Sequence, residues 1–419
     1  MKTTQGLLQL STLALWASSI WVVQATGFRL PDQDAFATAR GEAFAATADN
    51  PSAIYYNPAG ISQLEGHHVR GGAYGIYLHP TYESGGTSYD NEREWHGIPQ
   101  LFYTYGPKDY PLSFGLGLYS PYGLSLRWPQ DTGFRTVATE ASLSYFTINP
   151  VVAWRLCPQL SLAAGVTVNR AEVDMRQGLV WPTQPFDGFR FKGDGWDVGY
   201  NVGLLWKPFE KISLGVALRS TTTVNLKGST ESFNDVAIPG VVPASPLEKV
   251  HAETEMPFPL NVVCGLSFRP TPAWNLEFNA DYTDWGRLGT VTVHQERRPV
   301  LLPAQDVPLS FNWEGSWYYE FGVTRYLNEH WSLSAGYIFN ENSVPDANYW
   351  PVVADLDRHF FSAGTGFKGE HLTFDVAYQF GYGPTRTVSG SAKSATGQSA
   401  DGDYEYLSHA LLLSFGWRF

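Results

Sequence analysis

The chain has 419 residues, room for one large domain or two to three ordinary ones. Aromatics make up 15%, charged residues only 16%, and glycines number 41, a mixture too rich in packing side chains for disorder and unusual for a soluble helical enzyme. The net charge of −12 argues against nucleic acid as a partner, and the two cysteines give neither a disulfide framework nor a CxxC metal or redox motif.

Residues 1–25 read as a signal peptide. Lys2 supplies the positive start, an apolar stretch covers residues 10–23, and "VQA" ends at small Ala25. An uncleaved anchor is the alternative, but serines and a glutamine interrupt the apolar run. No cysteine follows the cut, which argues against a lipoprotein.

Residues 26–66 lack strand alternation. "DQDAFATARGEAFAATAD" sets Phe36, Ala39, Ala43 and Phe44 at helical spacing, with Asp32 or Asp34 as the cap. Such a segment can lie free in the periplasm, below a barrel or inside one; its modest apolar face suits a plug against a polar lumen. "NPSAIYYNPAG" follows. Pro51 and Pro58 push Asn50 and Asn57 away from the α region, and Gly60 after Ala59 is open to positive φ. Tyr55 and Tyr56 each offer an apolar body and a polar tip.

From residue 67 the pattern changes to period two. In "WNLEFNADYTD" Trp274, Leu276, Phe278, Ala280 and Tyr282 share one face, and Asn275, Glu277, Asn279, Asp281 and Thr283 the other. "WSLSAGYIFN" and "LTFDVAYQFGY" alternate in the same way. Aromatics close the ends of the apolar rows, the girdle pattern of a lipid-facing wall. Six tight connections ("GPKDYP", "LCPQL", "KPFEK", "RPTPAW", "LNEHW", "KGEHL") alternate with seven long ones, near residues 81–94, 124–137, 179–190, 229–247, 296–311, 343–355 and 387–402. Short turns at one end and long loops at the other are the pattern of an outer-membrane barrel, here with fourteen strands. The last strand, "ALLLSFGWRF", aligns Leu411, Leu413, Phe415, Trp417 and the terminal Phe419, like the signal read by the outer-membrane insertion machinery. The expected fold is therefore all-β: a 14-stranded antiparallel transmembrane barrel over residues 67–419, plugged by a small, partly helical hatch over residues 26–66.

"GFRL", "GEAFAATADNPSAIYYNPAG", "PYGL", "GDGWDVGYNVGLLWKP", "DYTDW", "YLNEHWSLSAGYIFNENSVPD" and "DRHFFSAGTGF" occur in order along the mature chain. Together they resemble the FadL/TodX family of outer-membrane transporters of long-chain fatty acids and aromatic hydrocarbons. The resemblance implies a monomer in the outer membrane of a Gram-negative bacterium, in contact with lipid and lipopolysaccharide. It implies passive uptake of a hydrophobic small molecule, with no cofactor and no metal. The hatch residues Asn50, Pro51, Tyr55, Tyr56, Asn57, Pro58, Ala59 and Gly60 would then form the gate. It also implies an exit through the wall at a kink in the third strand. Pro121 cannot donate a ladder bond and Gly123 invites a bulge, so pairing should break over Ser120, Pro121, Tyr122 and Gly123; on residue pattern alone the strand could equally end at Pro121.

Candidate ligand contacts are Phe134, Trp181 and Phe186 in the long loops. Arg170, in "VNRAEVDMR", matches a family segment where a basic residue meets a carboxylate, although the parity of its strand points it outward and favours a rim position. Cys157 and Cys264 read as non-functional. No GxSxG or GxxxxGK[ST] occurs, and His67 and His68 lack further ligands at metal spacing, so an enzyme is not expected. The rival reading is a general porin or an adhesin-like barrel, which would need no ordered plug.

Overall fold

The computed structural model describes residues 27–92 and 95–419; the expected signal peptide lies outside the described residues. Fourteen antiparallel strands close into one barrel. They are β1 (Gly66–Leu78), β2 (Trp95–Gly106), β3 (Leu112–Tyr119, resuming as Gly123–Arg127), β4 (Glu140–Cys157), β5 (Leu160–Gln177), β6 (Asp187–Phe209), β7 (Ile212–Arg219 and Thr222–Asn234) and β8 (Ser245–Phe258 and Asn261–Thr271). They continue as β9 (Trp274–Thr283, extended by Thr290–Gln295), β10 (Val307–Ser310 and Ser316–Tyr326), β11 (Trp331–Asn340), β12 (Arg358–Lys368), β13 (Leu372–Val388) and β14 (Gly402–Arg418). β14 returns to β1, with His68 opposite Arg418 at one end and Leu78 opposite Ser408 at the other. Closure matters because hydrocarbon offers no partner to a bare N–H or C=O.

The alternation divides the wall as expected. Leu411, Leu413, Phe415 and Trp417 are exposed on the outer face of β14, while Ala410, Leu412 and Ser414 between them are buried. Asn275, Glu277, Asn279 and Asp281 of β9 face inward and are buried. All six short connections fall where the tight turns were expected. The loop ends differ in extent. β3 continues to Arg127, β6 begins at Asp187 and β7 runs to Asn234, so these strands reach into stretches read as loop. Their outer rows are charged here rather than apolar; Arg190 pairs with Asp174 at 2.5 Å and with Glu231 at 3.2 Å. A strand that has left the hydrocarbon has no reason to keep an apolar row, so its alternation signal disappears.

The N-terminal segment runs inside the barrel. Of residues 27–64, all but Phe36, Asp49, Asn50 and Gln63 are buried. It contains α1 (Ala35–Ala39), α2 (Ala53–Tyr56) and a 3₁₀ turn (Pro58–Gln63). The helix expected through Phe44 stops at Ala39, because the chain reverses at Gly41 and Glu42, both at φ near +60° (62° and 60°). Phe36 and Phe44 still meet, edge to face at 5.7 Å. Asp34 caps α1, accepting from Phe36 N and Ala37 N. Asp32 instead accepts from Gln379 Nε2 of the wall at 2.9 Å. No helix among the described residues is long and apolar enough to cross a membrane; the crossing is made by strands.

Candidate functional site

Charges tie the inner segment to the wall. Arg70 of β1 holds Asp34 at 2.5 Å and Asp375 of β13 at 2.7 Å. Arg40 pairs with Glu277 at 3.2 Å and Arg29 with Asp281 at 2.5 Å. These pairs are buried, so removing one partner strands a charge in the lumen. Close backbone approach adds to them. A Cβ built on Gly336 of β11 would lie 2.0 Å from Gly41 N, so only glycine lets the segment seat there.

"NPSAIYYNPAG" sits deep in this arrangement. Asn50 accepts from Ser52 N at 2.8 Å and donates to Asp34 at 3.2 Å. Asn57 is extended and sends its amide to Ala45 O at 2.7 Å and Leu204 O of β6 at 2.9 Å. Pro51, Pro58 and Ala59 are buried. Gly60 is not among the glycines at positive φ, which corrects the turn expectation; it is required because a Cβ there would stand 2.2 Å from Ala48 O. The Tyr56 hydroxyl donates to Glu42 at 2.6 Å and accepts from Gln33 N at 3.0 Å. Tyr55 OH donates to Leu30 O at 3.3 Å. Both tyrosine hydroxyls therefore bond within the segment itself.

β3 breaks between Tyr119 and Gly123, as Pro121 suggested. Pairing with β2 stops at Leu101 opposite Leu118. Residues 95–100 of β2 pair with β1, and Gly123–Arg127 pairs with β4. Between them the described ladder is interrupted, bounded at the loop end by Glu92 N donating to Arg127 O at 2.9 Å. The displaced corner is caught by the inner segment. Leu30 N donates to Pro121 O and Gly123 N to Phe28 O, both at 2.8 Å, while Gln33 Nε2 donates to Ser120 O at 2.9 Å. Arg29 lies opposite Tyr122 in a one-residue antiparallel bridge. The inner segment thus supplies partners to the corner of β3.

Above this corner, toward the loop end, lies a large apolar cluster. Phe28 packs on Trp285 at 4.7 Å, and Tyr122 on Phe258 at 5.0 Å. Phe134, fully buried, packs on Tyr82 at 4.7 Å. The cluster is closed around a cavity of about 20 Å³ lined by Phe28, Leu124, Leu143, Met175, Met256 and Phe311. That is room for about one water molecule, so a larger guest must displace side chains; the two methionines are the most adaptable of them. A larger cavity, about 550 Å³, opens at the turn end. Asp49, Glu65, His68, Arg70, Lys368 and Arg418 line it, and walls of that charge suit water rather than hydrocarbon.

The other loop candidates lie apart. Trp181 donates from Nε1 to Asn234 Oδ1 at 2.9 Å and its ring meets Phe186 at 6.2 Å. Neither belongs to the buried cluster, and Phe186 is exposed. Arg170 is on the outer face, between inward Asn169 and Ala171, and pairs with exposed Asp194 at 3.4 Å. The period-two parity of β5 keeps it out of the lumen, which corrects its candidacy as a carboxylate partner. An inward arginine exists elsewhere. Arg219, last residue of the first part of β7, lies over the Tyr55 ring at 3.9 Å, donates to Tyr55 O, and donates to Asn261 Oδ1 at 2.7 Å. Its position was legible in principle: in "ISLGVALR" it falls in phase with inward Gly215 and Ala217.

The family described as outer membrane protein transport protein (OMPP1/FadL/TodX) matches residues 16–419. The long-chain fatty acid transport protein of Salmonella typhi is 22% identical over 405 residues, covering 89% of this chain and 88% of that one. The Escherichia coli K12 protein of the same name is 21% identical, covering 97% of this chain and 96% of that one. Among solved structures, a Pseudomonas aeruginosa FadL homologue superposes with a TM-score of 0.82 at 18% identity, covering 94% of this chain and all (100%) of the other. The Pseudomonas putida toluene transporter TodX gives 0.72 at 14% identity, with 94% and 99% covered. At these identities the structural likeness speaks for the fold.

Proposed function

The chain belongs to the OMPP1/FadL/TodX family of outer membrane transport proteins, and from that premise we propose that it takes up hydrophobic compounds passively through an apolar pocket and a lateral opening at the corner of β3. It is a β-barrel of the Gram-negative outer membrane. The substrates are long-chain fatty acids or aromatic hydrocarbons, and the route needs no cofactor. The protein acts as a monomer seated in lipid and lipopolysaccharide, delivered by the insertion machinery that reads its C-terminal strand.

One observation carries this reading. The apolar cluster, the interrupted ladder of β3 and residues 28–30 of the inner segment meet at one place, through the bonds of Leu30 and Gly123. A greasy ligand gains about 0.8 kcal/mol for each CH₂ it buries, so it partitions from water into the cluster. An exit through the wall passes it on to hydrocarbon without crossing the polar lumen. Residues 26–66 are the hatch and residues 50–60 its gate. A general porin is disfavoured, because the lumen is occupied by a segment buried along almost its whole length.

Replacing Pro121 and Gly123 together with valine tests the route. The restored ladder should close the exit and cut uptake of a labelled hydrophobic substrate by cells at least tenfold, with the barrel still resistant to SDS at room temperature. Undiminished uptake by the folded variant rejects the lateral path.

A further inference from the structure

The outer wall changes character beyond its aromatic girdle. The exposed apolar row of β6 ends at Trp196, and Asp194, Lys192 and Arg190 follow it toward the loops. Arg190 stands about 20 Å beyond Trp196 along the strand, and about 15 Å higher once strand tilt is allowed for. At that level the ladder aligns one residue from each of six strands. Arg127 of β3 faces Glu140 of β4, Glu140 faces Arg176 of β5, and Arg176 faces Arg190 of β6. Arg190 then faces Glu231 of β7, and Glu231 faces Lys249 of β8. Neighbouring strands are about 4.8 Å apart, so the row is about 24 Å long.

Folding alone does not ask for this row. Like charges directly opposite weaken a sheet, yet Arg176 and Arg190 are opposite. Asp174, one step nearer the membrane, sits between them, 2.5 Å from Arg190 and 3.4 Å from Arg176. Glu140 is held by Arg127 at 3.0 Å and by Arg176 at 3.2 Å, and Glu231 by Lys249 at 3.0 Å and by Arg190 at 3.2 Å. Glu92 closes one end through Arg127 at 3.1 Å. The acids of the row lie beneath and the cations outside. Glu140, Asp174 and Glu231 are 16%, 14% and 21% exposed, whereas Arg127, Arg176 and Lys249 are 43%, 41% and 64% exposed. A chain of net charge −12 thus presents a cationic strip at this level. Its arginines are already held in place by carboxylates, so they lose little freedom on meeting an anion. Arg176 Nη2 takes part in neither of that residue's ion pairs.

We propose that this row binds phosphates in the sugar layer of lipopolysaccharide, with guanidinium forks as the donors. The inference rests on the barrel's seat in the outer membrane and is independent of the uptake route. Height selects the source of the phosphate. A phospholipid phosphate lies near the girdle, level with Trp196. There it meets balanced pairs, Arg170 with Asp194 at 3.4 Å and Lys192 with Glu172 at 2.9 Å, whose acids are about as exposed as their cations. A lipid that carries phosphate on its sugars reaches the row farther out. The row starts at Arg127, which also bounds the interrupted ladder of β3, so the bound glycolipid stands beside that corner.

The test is native mass spectrometry of the full-length protein in detergent micelles, with EDTA present to remove bridging cations. The probes are rough lipopolysaccharide with a phosphorylated core, the same material dephosphorylated with hydrofluoric acid, and phosphatidylglycerol. The wild type should bind the phosphorylated lipopolysaccharide at least about tenfold more tightly than either of the others. Arg176→Gln combined with Arg190→Gln should abolish that preference. Glu231→Gln disturbs the same row but removes a negative charge, and should keep the preference or raise it. Loss of the preference in both variants marks the row as structural and overturns the proposal, as does equal binding of the dephosphorylated material by the wild type. Phosphatidylglycerol bound as tightly as lipopolysaccharide overturns the assignment to the sugar layer. A protein that takes up a labelled substrate but shows no preference for phosphate sinks this inference alone, and one that shows the preference but takes up nothing sinks the uptake reading alone.

Discussion

A β-carbon at residue 60 would meet Ala48 O at 2.2 Å and Ala48 Cβ at 2.5 Å. Gly60 is therefore a contact point between two turns of the hatch, and Gly60→Ala must push them apart. Overpacking of this kind costs about 1–3 kcal/mol, and here it falls on the hatch and not on the wall. The expected result is faster hydrogen exchange over residues 43–64 with an unchanged barrel melting temperature; equal exchange would show that the seat is loose. The two arginines show what single residues disclose beforehand. Arg170 carries a suggestive local motif, yet its parity puts it outside, with Asp194. Arg219 carries no motif, yet its parity puts it inside. Phase along the strand was the better guide, because side-chain direction is set by the pleat and not by neighbouring letters.

At the scale of elements, the strands inside the hydrocarbon were the most legible. One face of β9, β11 and β13 must be apolar and the other polar, and that demand is written every second residue. The break in β3 was half legible: Pro121 marks it, but its catch by residues 28–30 is a long-range pairing with no local signature. The extent of α1 is not legible locally for a related reason, since the reversal at Gly41 and Glu42 answers to the wall at Gly336. Loops beyond the membrane were the least legible, although they carry their own chemistry. Asp401 accepts from Ser391 Oγ at 2.7 Å and Ser391 N at 2.8 Å, and these bonds hold its carboxyl below the ordinary range. The loop they close joins the cap over the cluster, for Ala400 packs in it and Tyr82 OH donates to Asp401 O at 3.0 Å. A depressed carboxyl contributes stability above its unfolded pKa, about 3.9, and loses it as pH falls through the lower folded value. The Ser391 amide should accordingly stay protected from pH 7 down to about pH 5, and lose protection only below about pH 4; loss already at pH 6 would contradict this.

At the scale of the molecule, the barrel is a wall whose interior is filled by its own N-terminal segment. The segment is fixed by buried ion pairs at Arg29, Arg40 and Arg70 and by close approach at Gly336. It also completes the one corner where the β3 ladder is interrupted. On the proposed route this joins plug and exit in a single unit, and uptake would require the segment to move relative to β3. Ile54 marks where to hold it: a Cβ on Gly117 of β3 would lie 2.8 Å from Ile54 Cγ2, a spacing that suits a disulfide. With the exposed Cys157 and Cys264 replaced by serine, Ile54→Cys and Gly117→Cys can be oxidised and reduced in whole cells while uptake of a labelled long-chain acid is followed. Uptake should stop in the oxidised state and return on reduction; full uptake with the crosslink in place would contradict the account.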